Sequence, residues 1–260
     1  MPDVAGFIRR TSMLYKTGVE YGDYTMNHIQ GCAHGCMYPC YAFLMKKRFG
    51  QVRSYEDWLR PYLVANTLDL LDEELPRLRR RINSVHLCFS TDPFMYDYPQ
   101  VCEMSLRAIS RINRDGIKCS VLTKGVLPIE LGDHNVFSDQ NDYGITLVSL
   151  SDEFSRRMEP HAASIENRLQ ALENLHRRGC NTWVSIEPYP TPNIIEQDLN
   201  RLLDSVAFVD KIIFGRTNYS TVVSAYADRR VFYNNCAELV QDYCNRHGID
   251  CHIKKGTITA

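Results

Sequence analysis

From about residue 24 onward, short runs of apolar β-formers alternate with longer stretches in which apolar residues recur every three or four positions. The first pattern predicts strands and the second amphipathic helices. Strands are predicted at residues 24–30, 84–89, 118–123, 143–150, 182–186 and 211–214, with a short final one at 251–254. Helices are predicted at 41–49, 104–113, 164–178, 194–206 and 231–246. The stretch 55–81 reads as largely helical, with breaks near Pro61 and Pro76, because proline removes a backbone donor and clashes with the preceding turn. Gly179 and Gly248 supply helix stops.

Strands separated by helices imply right-handed βαβ units and a parallel sheet. The predicted fold is α/β, a full or partial parallel (β/α)6–7 barrel. Residues 1–260 form a single domain in this reading, since no repeat, linker or low-complexity segment interrupts the alternation. In such folds ligands gather at the carboxyl ends of the strands. Polar residues stand there in series: Ser90-Thr91-Asp92, Lys124, Ser149 with Ser151-Asp152, Glu187, and Arg216-Thr217-Asn218. Taken singly, Ser90 and Asp92 read as turn or cap residues.

Composition adds bounds. With 260 residues and 44% hydrophobic content the chain can build a sizeable core. A net charge of −1 supplies no global field for nucleic acid, which leaves such a partner possible but unsupported. Two basic runs, Lys46-Lys47-Arg48 and Arg77 to Arg81, read first as solvated helix faces; the former is the better candidate for an anionic ligand. No apolar run is long enough to span a membrane, and the N-terminus lacks a secretory pattern. Ten cysteines in that setting fit a reducing, cytoplasmic location.

The chemistry concentrates in Gly31-Cys32-Ala33-His34-Gly35-Cys36-Met37-Tyr38-Pro39-Cys40-Tyr41. Gly31, Gly35 and Pro39 exclude a helix, so the three cysteines share a loop. Three thiolates can hold three irons of a [4Fe–4S] cluster and leave the fourth open. Structural zinc, with His34 or a distant cysteine as fourth ligand, and inert thiols are the competing readings. A non-enzymatic zinc- or cluster-binding structural protein is therefore the alternative function. The lack of a GxGxxG loop disfavours a cluster-free methyltransferase.

Together these residues resemble the radical S-adenosylmethionine (SAM) enzymes, and within them the spore photoproduct lyase and DNA-repair-photolyase-like branch. The resemblance covers residues 27–192. It rests on the cysteine loop, Ser90-Thr91-Asp92-Pro93-Phe94, Thr123-Lys124, Glu159-Pro160 with Arg168, and Glu187-Pro188-Tyr189-Pro190. It implies a barrel of the radical SAM type, a [4Fe–4S] cluster on Cys32, Cys36 and Cys40, and SAM on the open iron. It also implies SAM contacts from Tyr38, Thr91, Lys124, Ser149, Arg168 and Glu187, although Arg168 equally suits a structural pair with Glu159 or Glu166. An electron donor such as a flavodoxin or ferredoxin is implied, and the substrate is left open among nucleotides or nucleic acid, small metabolites and peptides. The chain departs from the family twice. Pro39 lengthens CxxxCxxC to CxxxCxxxC, and Phe89 stands where spore photoproduct lyase carries a cysteine hydrogen donor, with Cys88 one residue away on the opposite strand face.

Overall fold

The computed structural model describes residues 2–259. Four short strands come first: β1 (Gly6–Ile8), β2 (Tyr15–Lys16), β3 (Tyr24–Met26) and β4 (Ile29–Gln30). Two helices, α1 (Tyr41–Arg48) and α2 (Tyr55–Trp58), and strand β5 (Tyr62–Val64) follow. Then α3 (Thr67–Leu78), β6 (Ser84–Leu87), α4 (Pro99–Asn113), β7 (Lys118–Thr123) and β8 (Asp142–Thr146) build the centre. The chain continues through α5 (Asp152–Met158), α6 (Ile165–Arg177), β9 (Asn181–Tyr189), α7 (Leu199–Asp204) and β10 (Lys211–Arg216). It ends with α8 (Thr221–Ser224), α9 (Arg229–His247) and β11 (Asp250–Ile253).

The main sheet runs β11-β10-β9-β8-β7-β6-β3-β2, parallel throughout except for the β2–β3 pair. It curls into a partial barrel: among the described residues no ladder joins β11 to β2. Alternate strand residues such as Val121, Ile145, Val184 and Ile212 join Leu75, Ile109, Leu172 and Ala237 of the helices in one core. Each such side chain contributes about 1.5–3 kcal/mol by leaving water. A second sheet, β1-β5-β4, and a separate apolar cluster of Ala42, Val52 and Trp58 support the cysteine loop.

Several expectations need correction. Residues 24–30 are not one strand: β3 and β4 lie in different sheets. The intervening Asn27 and His28 are drawn away, Asn27 Oδ1 accepting from the Ser90 hydroxyl (2.9 Å) and His28 Nε2 meeting Ser105 Oγ (2.8 Å). Pro61 precedes a strand, and Pro76 lies inside α3 near its end. There proline forfeits a single bond while Leu71 and Leu75 anchor the buried face. Only Leu199–Asp204 of the helix expected at 194–206 is helical, starting at the Asp198 cap. Strand β9 extends through Glu187 and a cis Pro188 instead of turning before them, whereas β8 stops short and leaves Ser149 in the following loop.

Candidate functional site

The cysteine loop leaves β4 through Gly31, whose φ of +87° favours glycine and where a Cβ would lie 2.7 Å from the Arg60 carbonyl oxygen. The loop is pinned on several sides. Cys32 N–H donates to the Trp58 carbonyl (2.8 Å), Met37 N–H to the Met158 carbonyl (2.8 Å), and the Tyr55 hydroxyl to the Cys36 carbonyl (2.6 Å). Cys40 then opens α1, whose last turn carries Lys46, Lys47 and Arg48, a favourable end for cations. Cys32 and Cys40 pack against the Trp58 cluster.

All three loop cysteines are free thiols. Burial raises Cys32 well above the ordinary thiol range and pushes Cys36 up to about 12, the latter opposed by Lys124. A thiol so buried keeps its proton unless a cation replaces it, which is what iron ligation would do. His34 cannot serve as a fourth ligand without dismantling its surroundings. Its Nε2 accepts from the Tyr96 N–H (3.1 Å) and its Nδ1 faces Asp92 Oδ2 (3.4 Å), so both ring nitrogens are in use. Burial lowers its pKa to about 4. Three soft sulfur donors without a local fourth suit an iron–sulfur cluster better than tetrahedral zinc.

Asp92, read from sequence as a cap, is a knot between strand ends. Its Oδ1 accepts from the Thr123 hydroxyl (2.6 Å) and Phe94 N–H (3.0 Å); its Oδ2 accepts from Lys124 N–H (2.9 Å). With His34 it ties the cysteine loop to the ends of β6 and β7.

Glu159 forms the second knot. It is buried against Arg168, with Nη2 to Oε2 at 2.8 Å, and accepts from the Tyr38 hydroxyl. Lys124 Nζ stands 3.9 Å from Glu159 and 5.7 Å from the centre of the Tyr38 ring. Burial raises the Glu159 pKa, opposed by Arg168. Arg168 also donates to Ala163 O (3.0 Å), Thr146 O (2.9 Å) and Ser155 Oγ (3.2 Å). Its guanidinium is committed to the protein, so it holds Glu159 in place. Thus Tyr38, Lys124 and Arg168 converge on one carboxylate beside the cysteine loop. Ser149 is buried in the loop after β8, its hydroxyl accepting from Ser151 N–H (3.1 Å). The Thr91 hydroxyl is buried beside the Cys88 thiol and has no well-formed hydrogen bond.

Glu187 stands apart from these. Lys254 Nζ lies 3.1 Å from it, and Gly215 on the next strand leaves room for its carboxylate. Burial raises its pKa and Lys254 opposes that shift. Nearby the turn between β2 and β3 enters the open seam of the barrel. Tyr21 packs edge-on against His86, Phe89, Trp183 and His252, with Lys254 5.6 Å from its ring centre. Glu20 spans the seam to His252 (3.2 Å) and to the Lys255 N–H (3.0 Å). Sequence reasoning missed Lys254 as the partner of Glu187, with Tyr21 and Glu20 beside it in the seam; the signal was the short final strand that delivers Lys254.

Phe89 stacks on His86 at 3.7 Å inside the barrel. Cys88 turns away, its thiol 3.5 Å from His28 Nδ1, with a φ of 64° unusual for a side-chain-bearing residue. The barrel therefore presents a phenyl ring where the resemblance would place a hydrogen-donating thiol.

Residues 26–206 match the family model described as the radical SAM superfamily. The chain belongs to the radical SAM superfamily. Among curated relatives, an uncharacterized protein ORF301 of Acidianus two-tailed virus is 25% identical over 195 residues, covering 73% of this chain and 64% of that protein. An uncharacterized protein MJ0683 of Methanocaldococcus jannaschii is 24% identical over 192 residues, covering 73% and 68%. The chain thus spans slightly under two thirds of the viral relative. Among solved structures, a spore photoproduct lyase variant with bound AdoMet and dinucleoside spore photoproduct superposes with a TM-score of 0.72 at 14% identity. That match covers 95% of this chain and 80% of the lyase, and at such low identity it speaks for the radical SAM fold. Among the described residues no helix is long and apolar enough to cross a membrane.

Proposed function

We propose that this protein is a radical SAM enzyme acting on a substrate held across the mouth of the partial barrel. Cys32, Cys36 and Cys40 hold a [4Fe–4S] cluster and leave one iron for SAM. When bound, the pair supplies the one-electron cleavage of SAM to methionine and a 5′-deoxyadenosyl radical, which abstracts hydrogen from substrate. The observation that carries this reading is the triple-cysteine loop beside the Tyr38–Lys124–Glu159–Arg168 group, inside a chain of this superfamily.

The residues divide the work. Lys124, loosely held at 3.9 Å from Glu159, is available to an anionic group such as the SAM carboxylate. Tyr38 places its ring beside the cofactor, with its hydroxyl fixed by Glu159. Arg168 is a positioning residue that acts through Glu159. Ser149 offers a hydroxyl to SAM, whereas the Thr91 hydroxyl, buried beside Cys88, supports the end of β6. Glu187, paired with Lys254 over Gly215 of the intervening β10, is the group offered to the substrate side.

The electron donor is a low-potential carrier such as a ferredoxin or flavodoxin. The outer face around the loop supports a docking role: Met37, Leu44, Met45 and Phe49 are exposed, beside Lys47, Arg48 and Arg53. Ten free thiols among the described residues support a reducing cytoplasmic location.

The deciding experiment is anaerobic reconstitution with iron and sulfide, followed by reduction with SAM. Visible absorbance, bound iron, and release of methionine and 5′-deoxyadenosine are expected. Cys32→Ala, Cys36→Ala and Cys40→Ala should each abolish them. A colourless, iron-free wild-type protein, or S-adenosylhomocysteine as the product, would overturn the proposal.

A further inference from the structure

The carboxyl end of β10 carries a cavity of about 300 Å³, set among β10, α8, the start of α9 and Thr257 and Thr259 near the C-terminus. We propose that it is a phosphoryl-binding subsite which anchors a phosphorylated substrate at the barrel rim.

Three guanidinium side chains line it: Arg216, the last residue of β10, and Arg229 and Arg230 in the first turn of α9. Among the described residues neither half-buried Arg216 nor exposed Arg229 and Arg230 is in ion-pair contact with a carboxylate, and Arg216 differs in this from most other half-buried cations. Arg216 Nε donates to Asn218 Oδ1 (3.0 Å) and Arg229 Nη1 to the Ser224 carbonyl (3.0 Å). These bonds orient the forks without neutralising them. Like charges gathered around a cavity repel one another and call for an anion. The planar guanidinium fork matches phosphate oxygens.

Two further features point the same way. Helix α9 runs for 19 residues, and its N-cap Asp228 makes no side-chain cap bond, so its positive end lacks the usual acceptor. Across the cavity, the Thr259 hydroxyl is buried without a hydrogen-bond partner. Its backbone is nevertheless held on both sides by Asn234, N–H to Oδ1 at 3.0 Å and carbonyl from Nδ2 at 2.9 Å. Asn234 thereby fixes the wall of the cavity opposite the arginines.

The position suits an anchor for the reaction. Arg216 is registered with Tyr189 of β9, two residues beyond Glu187, and Gly215 packs against Glu187 itself. Tyr219, 75% exposed and held at a φ of 60°, places an aromatic face on the rim. A phosphoryl group could arrive on a nucleotide, whose base would stack on Tyr219, or on a small phosphorylated metabolite, which would not use that ring. The anchoring role rests on the radical SAM reading above; binding of the anion does not.

Calorimetric titration of the reconstituted protein at low salt tests both. The probes are inorganic phosphate, ribose 5-phosphate and adenosine 5′-monophosphate, with iron content and SAM cleavage measured on the same samples. Wild-type protein is expected to bind all three, and the double variant Arg229→Gln/Arg230→Gln to lose at least about tenfold for each, a margin of 1.4 kcal/mol. Arg216→Lys should fall between them, since it keeps the charge and loses the fork. Tyr219→Ala should weaken only the adenosine monophosphate arm if the source is a nucleotide, and none if it is another phosphorylated metabolite. Unaltered thermal unfolding shows that the double variant is folded; if it is not, Arg230→Gln alone takes its place, with a smaller loss expected. Wild-type protein that binds none of the probes at about 10 mM, or variants that bind like wild type, would overturn the subsite. Normal iron content and SAM cleavage beside that failure would leave the radical SAM reading intact, and the converse result would break only that reading.

Discussion

Two carboxylates face the barrel mouth in different settings. Glu159, on the cysteine-loop side, is locked between Arg168 and Tyr38, and Arg168 is itself held by the Ala163 and Thr146 carbonyls. Glu187, on the seam side, has one long, flexible partner, Lys254, and sits beside a turn inserted between two sheet edges. The first arrangement holds a geometry fixed, as a shared cofactor requires. The second leaves a charge that a ligand can recruit. Under the proposed function, the rigid pair would lie where SAM binds and the adaptable one where the substrate does.

Breaking the pairs should separate the two regions most clearly. Glu159→Ala strands a buried guanidinium and should cost about 3–5 kcal/mol, a fall in melting temperature of roughly 6 °C or more. Glu187→Gln should change the melting temperature by less than a third of that, because Lys254 can reach solvent, while reducing substrate turnover. Equal thermal shifts for the two variants would contradict the contrast.

The buried histidines sharpen it through pH. Burial lowers both His28 and His86 to about 3, below their unfolded value. The unfolded chain then binds more protons between about pH 6.5 and 3. Stability is therefore full above the unfolded value and is lost as pH falls, by up to about 1.4 kcal/mol per histidine per pH unit. Urea midpoints measured from pH 7 to 4.5 should decline, and His86→Phe should flatten the curve. An unchanged slope would mean that His86 is not held neutral.

Packing gives a smaller effect. A Cβ at Gly144 would lie 2.3 Å from the Trp183 ring inside the barrel. Gly144→Ala should cost about 1–3 kcal/mol by overpacking, seen as a lower denaturant midpoint with cluster content retained. The smallest effect is expected at the seam. Glu20→Ala removes exposed bonds to His252 and Lys255, worth about 0–1 kcal/mol, and should raise local amide exchange near β11 more than it lowers global stability.

The alternation of strand and helix was legible because a parallel sheet covered by helices imposes two periods that single residues report. The later helices show it: α6 was placed within a residue at each end by Ser164 and Gly179, whereas α7 was over-extended at its start because Ile194 and Ile195 donate to the Thr191 carbonyl in a turn that apolar spacing does not register, and the short α5 was missed. The cysteine loop was legible for the same local reason, three cysteines and two glycines within eleven residues. Asp92 was not, since a carboxylate that caps a turn and one that joins two strand ends to the cysteine loop look alike in sequence.

By itself the sequence determined the α/β class, the three sulfur donors and the family resemblance, all of which depend on neighbours close along the chain. Only the tertiary structure decided that Arg168 serves Glu159, that Lys254 answers Glu187, that Tyr21 fills the seam, and that three arginines share one cavity. Those contacts range from the near pair of Arg168 and Glu159 to Tyr21 against His252, at opposite ends of the chain. They are set by which strand ends meet when the sheet curls, a long-range outcome of packing that no local pattern encodes.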